Sequence, residues 1–269
     1  MAENITAAFQ KVDAADTDFI IKFLQDANQF PLILDSFRQQ VELLDIRPGN
    51  HVLDIGCGIG ERAAQLAEMV GTTGKVCGTD LSEAMVAASE RFYGDKGLPL
   101  EFRVADASHQ PYENTSFDRI RTERVLMYVK DIPAAFAEFD RLLKPGGKLV
   151  VVDFAWDSIV LASRDVALTR RLMTWISNSF PNGRIGADLF GLFHDHGFED
   201  VQVRPIGYVA PLEFNKRVLA GILTSGVEAG EFRADEIDGW WAELEEDDRN
   251  GRYFGSYTGF IVGGTKPGS

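Results

Sequence analysis

The sequence predicts an α/β fold in which a mostly parallel β-sheet carries helices on both faces. Two observations support this prediction. Short apolar segments alternate with helical segments between residues 49 and 154, a rhythm that is typical of βαβ units. Three of the apolar segments also run into a glycine or an aspartate, and ligands bind at the carboxyl edge of such sheets.

The first part of the chain contains N-terminal helices followed by this alternation. Apolar residues such as Ile20, Phe23 and Leu24 recur at helical spacing within residues 1–48. In residues 49–154, strands are predicted at His51–Ile55, Lys75–Thr79, Leu100–Ala105, Phe117–Thr122 and Lys148–Phe154. Helices are predicted between them at Glu61–Val70, Ser82–Arg91 and Ile132–Leu143.

After Phe154 the pattern changes. Residues 155–186 and 210–251 have helical patterns without a strand signal, and we expect them to form a helical cap over the acceptor site. Residues 187–209 and 252–269 contain a further helix and two strands, Val201–Ile206 and Ser256–Val262, that complete the sheet. The sequence therefore predicts a single domain, residues 1–269.

The charge of the chain restricts its partners. It has 41 acidic and 27 basic residues and a formal net charge of −14, so a phosphate backbone would be repelled and we expect no nucleic-acid partner. No apolar run reaches the roughly 18 residues of a membrane span, and Met1–Asn4 do not begin an export signal. We expect a cytoplasmic protein with a small-molecule substrate, and a homodimer is left open.

The stretch from Asp54 to Gly60 is a candidate ligand-binding loop. An apolar strand runs into Gly56, Gly58 and Gly60, and a helix follows. Glycines permit positive φ and close approach of the main chain to a ligand, and the amides at a helix N-terminus favour an anionic group. The spacing GxGxG differs from the GxGxxG of dinucleotide sites, and Asp54 suits the ammonium group of an amino acid better than a pyrophosphate.

Two further strands end in acidic residues. Asp80 follows the second strand some twenty residues after the loop, where nucleotide-binding sheets place a carboxylate that accepts from ribose hydroxyls. Asp106 ends the third strand and could accept the amino proton of an adenine. Both residues could instead be helix N-caps. Together with the glycine loop, they predict one adenosine site.

Four motifs, in order, resemble those of class I S-adenosylmethionine-dependent methyltransferases, the Rossmann-like family. They are Val52–Gly60, Gly78–Ser82, Val104–Ala107 with Ser116–Asp118, and Arg141–Leu149. The resemblance implies a seven-stranded sheet of order 3-2-1-4-5-7-6 with strand 7 antiparallel, S-adenosylmethionine as cofactor and S-adenosylhomocysteine as product. The nearer resemblance is to small-molecule methyltransferases of quinone, sterol and natural-product pathways, including secondary metabolism.

Carried over by position, the resemblance implies the residues of the cofactor site. They are Asp54, Gly56, Gly58, Gly60, Asp80, Leu81, Met85, Asp106, Ala107 and Arg121. Leu81 and Met85 would pack on the adenine ring, although Met85 could equally be a core residue. Ala107 would offer its backbone amide.

The catalytic candidates are Glu123 and His109. Glu123 follows the fourth strand at the same edge of the sheet and could deprotonate a hydroxyl or orient an amine, or it could pair with Arg121 or Arg124. His109 follows the third strand end in a loop, and imidazole titrates near neutrality. No metal-ligand cluster is recognisable, so no metal is predicted.

The resemblance implies transfer of a methyl group to a carbon or oxygen of a hydrophobic small molecule by in-line displacement. The alternative is a methyltransferase-fold cyclase or rearrangement enzyme that binds the cofactor without methyl transfer. A binding protein and an NAD-dependent oxidoreductase are weaker alternatives, disfavoured by the intact loop and by its glycine spacing respectively.

Overall fold

A computed structural model describes Phe9 and residues 12–268; Met1–Asn4, on which the expectation about export rests, lie outside the described residues. Seven strands form one sheet in the order β3-β2-β1-β4-β5-β7-β6. The strands are β1 His51–Ile55, β2 Lys75–Asp80, β3 Leu100–Val104, β4 Phe117–Glu123, β5 Leu143–Leu161, β6 Glu199–Val209 and β7 Gly255–Thr265. The predicted strand order is confirmed.

The helices connect and cover these strands. They are α1 Thr17–Asn28, α2 Pro31–Leu44, α3 Glu61–Val70, α4 Glu83–Ser89, α5 Ile132–Leu142, α6 Val166–Asn178, α7 Ile185–Asp195, α8 Leu212–Glu228 and α9 Ala234–Arg249. Short 3₁₀ turns lie at Val12–Ala14 and Leu126–Tyr128. A π-helical turn, Glu90–Gly94, continues α4.

The core divides at the sheet because successive side chains of a strand point to opposite faces. On one face Val52 packs with α3 and with Phe37 of α2. On the other face Leu53 packs in the larger cluster that includes Phe136 of α5 and Phe193 of α7. Strands β1 to β5 pair in parallel, and β7 runs antiparallel between β5 and β6. The parallel strands therefore end together at one edge.

The prediction that residues 155–185 lack a strand is wrong for Ala155–Leu161, which continue β5. There Val160 pairs with Ser256 and Leu161 with Gly255 of β7, after a register shift in the ladder. Val160 is 53% exposed, whereas Ala155, Trp156, Ile159 and Leu161 are buried, so the segment lacks the regular alternation by which a strand is recognised. The long antiparallel partner, rather than local propensity, determines its conformation.

Beyond β5 the chain forms a helical cap, composed of α6, α8 and α9. Trp175 of α6 donates from Nε1 to the Ile222 carbonyl of α8 at 3.0 Å. Trp240 of α9 donates to Thr169 Oγ1 of α6 at 2.9 Å. These bonds join the two segments that the sequence separates. Within residues 12–268 and Phe9, no helix is both long and apolar enough to cross a membrane.

Candidate functional site

A cavity of about 600 Å³ opens at the carboxyl edge of the parallel strands. Its two ends differ in chemistry. The polar end is formed by the glycine loop and the ends of β2 to β4, with Gly56, Gly58, Asp80, Asp106 and Arg124. The aromatic end is formed by Phe154, Trp156, Phe180, Tyr208, Phe214 and Tyr257.

Main-chain geometry at the glycine loop requires glycine. Gly56 has φ +70° and Gly58 has φ +55°, a region that residues with a Cβ rarely adopt. A Cβ on Gly56 would lie 2.1 Å from Cγ2 of Val125. The Val125 side chain therefore packs directly against the main chain of Gly56, and Gly56 and Gly58 both line the cavity.

Asp80 joins this loop to the end of β2. Its carboxylate accepts from the Gly58 amide at 2.9 Å and from the Ser82 amide at 3.0 Å. Burial raises its pKa, against the lowering effect of these two bonds. Each oxygen accepts one of them, and a carboxylate offers about four acceptor positions. Asp80 can therefore accept two further hydrogen bonds from a ligand diol.

Next to Asp80 lies an apolar side chain on the cavity wall. Leu81 is 68% exposed, which is high for a large apolar residue on a concave surface. Met85 lies behind it, 2% exposed, and packs with Ile20 and Ile59. Met85 is thus a core residue that also lines the cavity, and Leu81 offers a free apolar surface to a planar ring.

The loop after β3 supplies a second acidic group. Asp106 is exposed on the cavity wall. Its Oδ1 accepts from the amide of Ser108 at 2.8 Å and from its hydroxyl at 2.6 Å, so the carboxylate is held by a local turn. Ala107 is 9% exposed and also lines the cavity.

Beneath the loop, a buried ion network joins β1, β4 and α2. Arg121 donates to Asp54 Oδ1 at 2.7 Å and to Gln40 Oε1 at 2.9 Å, and it also pairs with Glu123. Burial raises the pKa of Asp54. Burial also opposes ionisation of Glu123, but the charges of Arg124 and Arg121 outweigh it and lower the pKa of that carboxyl. Glu123 is therefore a weak general base, held in ion pairs.

Arg124 places a cation on the cavity wall at the polar end. It has φ +59°, an uncommon conformation for a residue with a side chain. Its Nε is buried and has no hydrogen-bond partner among the described residues, but it forms an ion pair with Glu123 Oε1 at 3.6 Å. Its charge lowers the pKa values of Glu123, Tyr128 and Tyr208, although burial raises those of both tyrosines overall. The guanidinium therefore acts on both ends of the cavity.

The aromatic end is a layered cluster of rings. Trp156 stacks on Phe180 with ring centroids 4.4 Å apart and an interplanar angle of 14°. Tyr208 and Tyr257, which pair across β6 and β7, have centroids 4.9 Å apart. Phe214 of α8 packs against Tyr208. Other rings at this end meet edge to face, such as Phe154 and Tyr257 at an interplanar angle of 87°, so the surface offers ring faces and ring edges to an apolar group.

Nine of the twelve predicted site residues line this one cavity. They are Gly56, Gly58, Asp80, Leu81, Met85, Asp106, Ala107, Arg121 and Glu123. Asp54 lies beneath the loop in the ion network. Gly60 begins α3, where a Cβ would meet the Phe102 ring at 2.7 Å, so it permits packing of the helix. His109 is exposed outside the cavity wall, in a backbone bridge with Asp106.

The sequence reasoning missed Arg124 as a site residue and most of the aromatic end. Tyr128 also lines the cavity, whereas Trp240 and Trp241 pack against each other within the cap. Tyr208 lies near the carboxyl-terminal end of β6, and Tyr257 lies near the amino-terminal end of β7. Both strand ends are at the cavity, so the position of each tyrosine within its strand is a signal that could have been used. That signal becomes readable only once the antiparallel pairing of β6 and β7 is known.

The cysteine in the loop is inert. Burial raises the pKa of Cys57 well above its ordinary value, and the neighbouring charges of Asp80 and Asp54 raise it further. Since the thiolate is the nucleophilic form, the thiol of Cys57 is not an activated nucleophile.

Comparison with known proteins agrees with this geometry. A family model described as a methyltransferase domain matches residues 53–151. The ubiquinone/menaquinone biosynthesis C-methyltransferase UbiE of Bordetella avium is 30% identical over 190 residues, which are 69% of this chain and 74% of UbiE. An uncharacterized 37.1 kDa protein from transposon TN4556 of Streptomyces fradiae is 38% identical over 168 residues, 62% of this chain, and the chain covers 48% of that protein's length.

Among solved structures, the YcgJ protein of Bacillus subtilis superimposes with a TM-score of 0.60 at 20% identity, over 87% of this chain and 99% of YcgJ. At this identity the likeness shows the fold alone. A parallel sheet with a glycine loop and two acidic strand ends at its carboxyl edge defines a Rossmann-like protein built for a nucleoside ligand. The chain belongs to the class I S-adenosylmethionine-dependent methyltransferases.

Proposed function

We propose that the protein transfers a methyl group from S-adenosylmethionine to a carbon or oxygen atom of a hydrophobic small molecule. The observation that carries this proposal is the single cavity whose polar end is built of glycine main chain and strand-end carboxylates and whose other end is aromatic. One end suits an amino-acid nucleoside and the other suits an apolar acceptor.

The residues at the polar end fit the cofactor. Gly56 and Gly58 line the polar end, and both have a positive φ that a residue with a Cβ rarely adopts. Asp80 has acceptor positions left for the two ribose hydroxyls, and Leu81 offers an apolar face for the adenine. Asp54 carries a buried Oδ2 without a hydrogen-bond partner among the described residues, and its negative charge beneath the loop favours an ammonium group nearby.

When bound, the cofactor supplies an electrophilic methyl group on a sulfonium, so the protein has to align the acceptor rather than activate it. Alignment alone can lower a barrier by roughly 7–11 kcal/mol in favourable cases. The packed rings of the aromatic end would hold the acceptor and exclude water. A general base is then required only for acceptors that must lose a proton.

Arg124 supports a carbon or oxygen acceptor over an amine. A cation on the cavity wall stabilises a phenolate or enolate, which lowers the pKa of such an acceptor. The same cation would repel a protonated amine. Arg124 pairs with Glu123 through Nε, but its guanidinium has further N–H donors. Through these donors Arg124, rather than Glu123, would favour the deprotonated acceptor.

Cyclisation or rearrangement on a bound cofactor is the second candidate. It is supported by the position of the described histidines and of Glu123, because His109 lies outside the cavity wall and Glu123 is paired. The mass of the product distinguishes the two reactions, since methyl transfer adds one methylene unit and cyclisation adds none. The predicted cytoplasmic location and homodimer stay predictions.

Titration calorimetry tests the proposal. We expect micromolar binding of S-adenosylmethionine and S-adenosylhomocysteine, with NAD as a control that does not bind. Asp80→Asn should weaken both by at least about tenfold, because an amide cannot accept from the Gly58 and Ser82 amides and from a diol together. Asp45→Asn, in the α2–β1 connection at the opposite edge of the sheet, should bind like the wild type. A folded wild type that binds neither ligand would refute the proposal.

A further inference from the structure

Tyr257 at the aromatic end carries a hydroxyl group that nothing described in the structure satisfies. The residue lines the cavity and is 3% exposed. Its Oη is buried and has no hydrogen-bond partner among the described residues. A buried hydroxyl without a partner is costly, and native proteins rarely retain one without a reason.

The surroundings of this hydroxyl group define what it can bind. The ring lies among Phe154, Trp156 and Tyr208, with centroid distances of 5.7, 5.9 and 4.9 Å. Burial raises the pKa of Tyr257, and the neighbouring Tyr208 and Tyr253 raise it further. The group is therefore a neutral hydroxyl that can donate a hydrogen bond, and its complement is a neutral oxygen acceptor on an aromatic ring system.

Strand order places this donor far from the methyl-transfer position. β7 is the third neighbour of β1 in the order β1-β4-β5-β7. At a spacing of about 4.8 Å between strands, the two strands lie roughly 14 Å apart. An oxygen atom held by Tyr257 is therefore remote from the glycine loop and positions the acceptor without being the atom that is methylated.

We propose that Tyr257 is a specificity-determining residue that donates a hydrogen bond to a carbonyl, ether or hydroxyl oxygen on an elongated, oxygenated aromatic acceptor. This inference rests on the proposed function for its biological meaning. The hydrogen bond from Tyr257 to an oxygen atom at the aromatic end does not itself depend on cofactor binding.

The test compares 2-naphthol with naphthalene as probes of the aromatic end, by calorimetric titration of the protein with and without S-adenosylhomocysteine. The wild type should bind 2-naphthol about tenfold more tightly than naphthalene. Tyr257→Phe removes one oxygen atom and should reduce this ratio to within about twofold, with the affinity for S-adenosylhomocysteine unchanged.

Tyr253→Phe is the matched control. It also removes one tyrosine hydroxyl, but that group accepts from Asn215 Nδ2 at 2.5 Å. It should keep the tenfold ratio and lower the melting temperature, whereas Tyr257→Phe should melt no lower than the wild type because it loses an unsatisfied polar group.

Two results would overturn the inference: a wild type without preference for 2-naphthol, or a folded Tyr257→Phe variant that keeps the preference. The first needs no variant, so the test does not depend on whether the substituted protein folds. Loss of S-adenosylhomocysteine binding alone would refute the proposed function and leave the role of Tyr257 standing.

Discussion

The polar end of the cavity presents main chain, whereas the aromatic end presents side chains. At the polar end, Gly56 and Gly58 place backbone atoms at the cavity wall, and the Asp80 carboxylate accepts a hydrogen bond from the loop. At the aromatic end, Trp156, Tyr208 and Tyr257 project from three strands. A main-chain surface cannot change with substitution without breaking the fold, whereas a side-chain surface can. In the proposed function, the end assigned to the cofactor therefore depends on main-chain geometry, whereas the end assigned to the acceptor can change through its side chains.

The strongest test of this comparison is Gly56→Ala, whose Cβ would lie 2.1 Å from Val125 Cγ2 at φ +70°. We expect cofactor affinity to fall more than about a hundredfold, because the loop must move away from the cavity wall. Calorimetric titration with S-adenosylhomocysteine measures this.

Gly146→Ala is the control for backbone strain. Gly146 has φ +74°, but a Cβ there would meet nothing within 4 Å. The variant should lose about 1–2 kcal/mol of stability and bind the cofactor normally. Equal losses of binding in both variants would show that strain, and not close approach, explains the glycine loop.

Asp153 of β5 is fully buried next to the turn Leu126–Tyr128, and Met127 and Tyr128 of this turn line the cavity. Its Oδ2 accepts from the Met127 amide at 3.3 Å, and burial raises its pKa from the ordinary 3.8 to about 7. Between those pH values the folded protein holds a proton that the unfolded chain has lost. This carboxyl therefore makes the protein less stable as the pH rises from about 4 to about 7.

Asp153→Asn removes that titration. Relative to the wild type, the variant should gain at most about 1.4 kcal/mol of unfolding free energy for each pH unit within the window, and nothing further above it. Urea unfolding at several pH values measures the difference. A difference that is constant with pH would mean that Asp153 titrates normally in the folded protein.

Phe180→Leu tests whether the aromatic end acts separately. The substitution removes the ring that stacks on Trp156 and should weaken 2-naphthol binding about fivefold, the value of a lost ring pair. Cofactor affinity should stay the same. Phe139→Leu is the control, at a fully buried core position of α5 outside the cavity wall. It should lower stability without changing either affinity. If Phe139→Leu also weakened 2-naphthol binding, the effect of Phe180→Leu could not be assigned to the aromatic end.

Asp13 should have the smallest effect. It accepts from the Ser82 hydroxyl at 2.5 Å and from the Ala84 amide at 3.0 Å, next to Val12 on the cavity wall. Asp13→Ala removes these hydrogen bonds next to the polar end. It should accelerate cofactor dissociation about threefold in stopped-flow measurements. Asp16→Ala removes a cap of α1 instead and should leave the dissociation rate unchanged; equal rates in all three proteins would exclude a covering role.

The same contrast explains what the sequence could predict. The bounds of β1 and α3 match the prediction residue for residue, because an apolar strand, a glycine turn and an amphipathic helix are local signals. The polar end could be predicted for the same reason, because Gly56 to Asp80 lie within twenty-five residues of the chain. The role of Glu123 was harder to foresee, since its pairing depends on Arg121 and on Gln40 from a distant helix.

The aromatic end depends on contacts between residues far apart in the chain. Trp156 lies in the segment that was predicted to be helical, and its neighbour Tyr257 is about a hundred residues away. Arg124 faces the cavity through a left-handed conformation that no residue type at that position predicts. Tertiary pairing, not local propensity, determines both features.

The most direct test of a two-ended cavity is to titrate 2-naphthol into the protein before and after saturation with S-adenosylhomocysteine. Because the cofactor and the acceptor are assigned to different walls, the 2-naphthol dissociation constant should agree within about threefold in the two titrations. Displacement of 2-naphthol by S-adenosylhomocysteine would show that the two ligands share one site and would contradict the account.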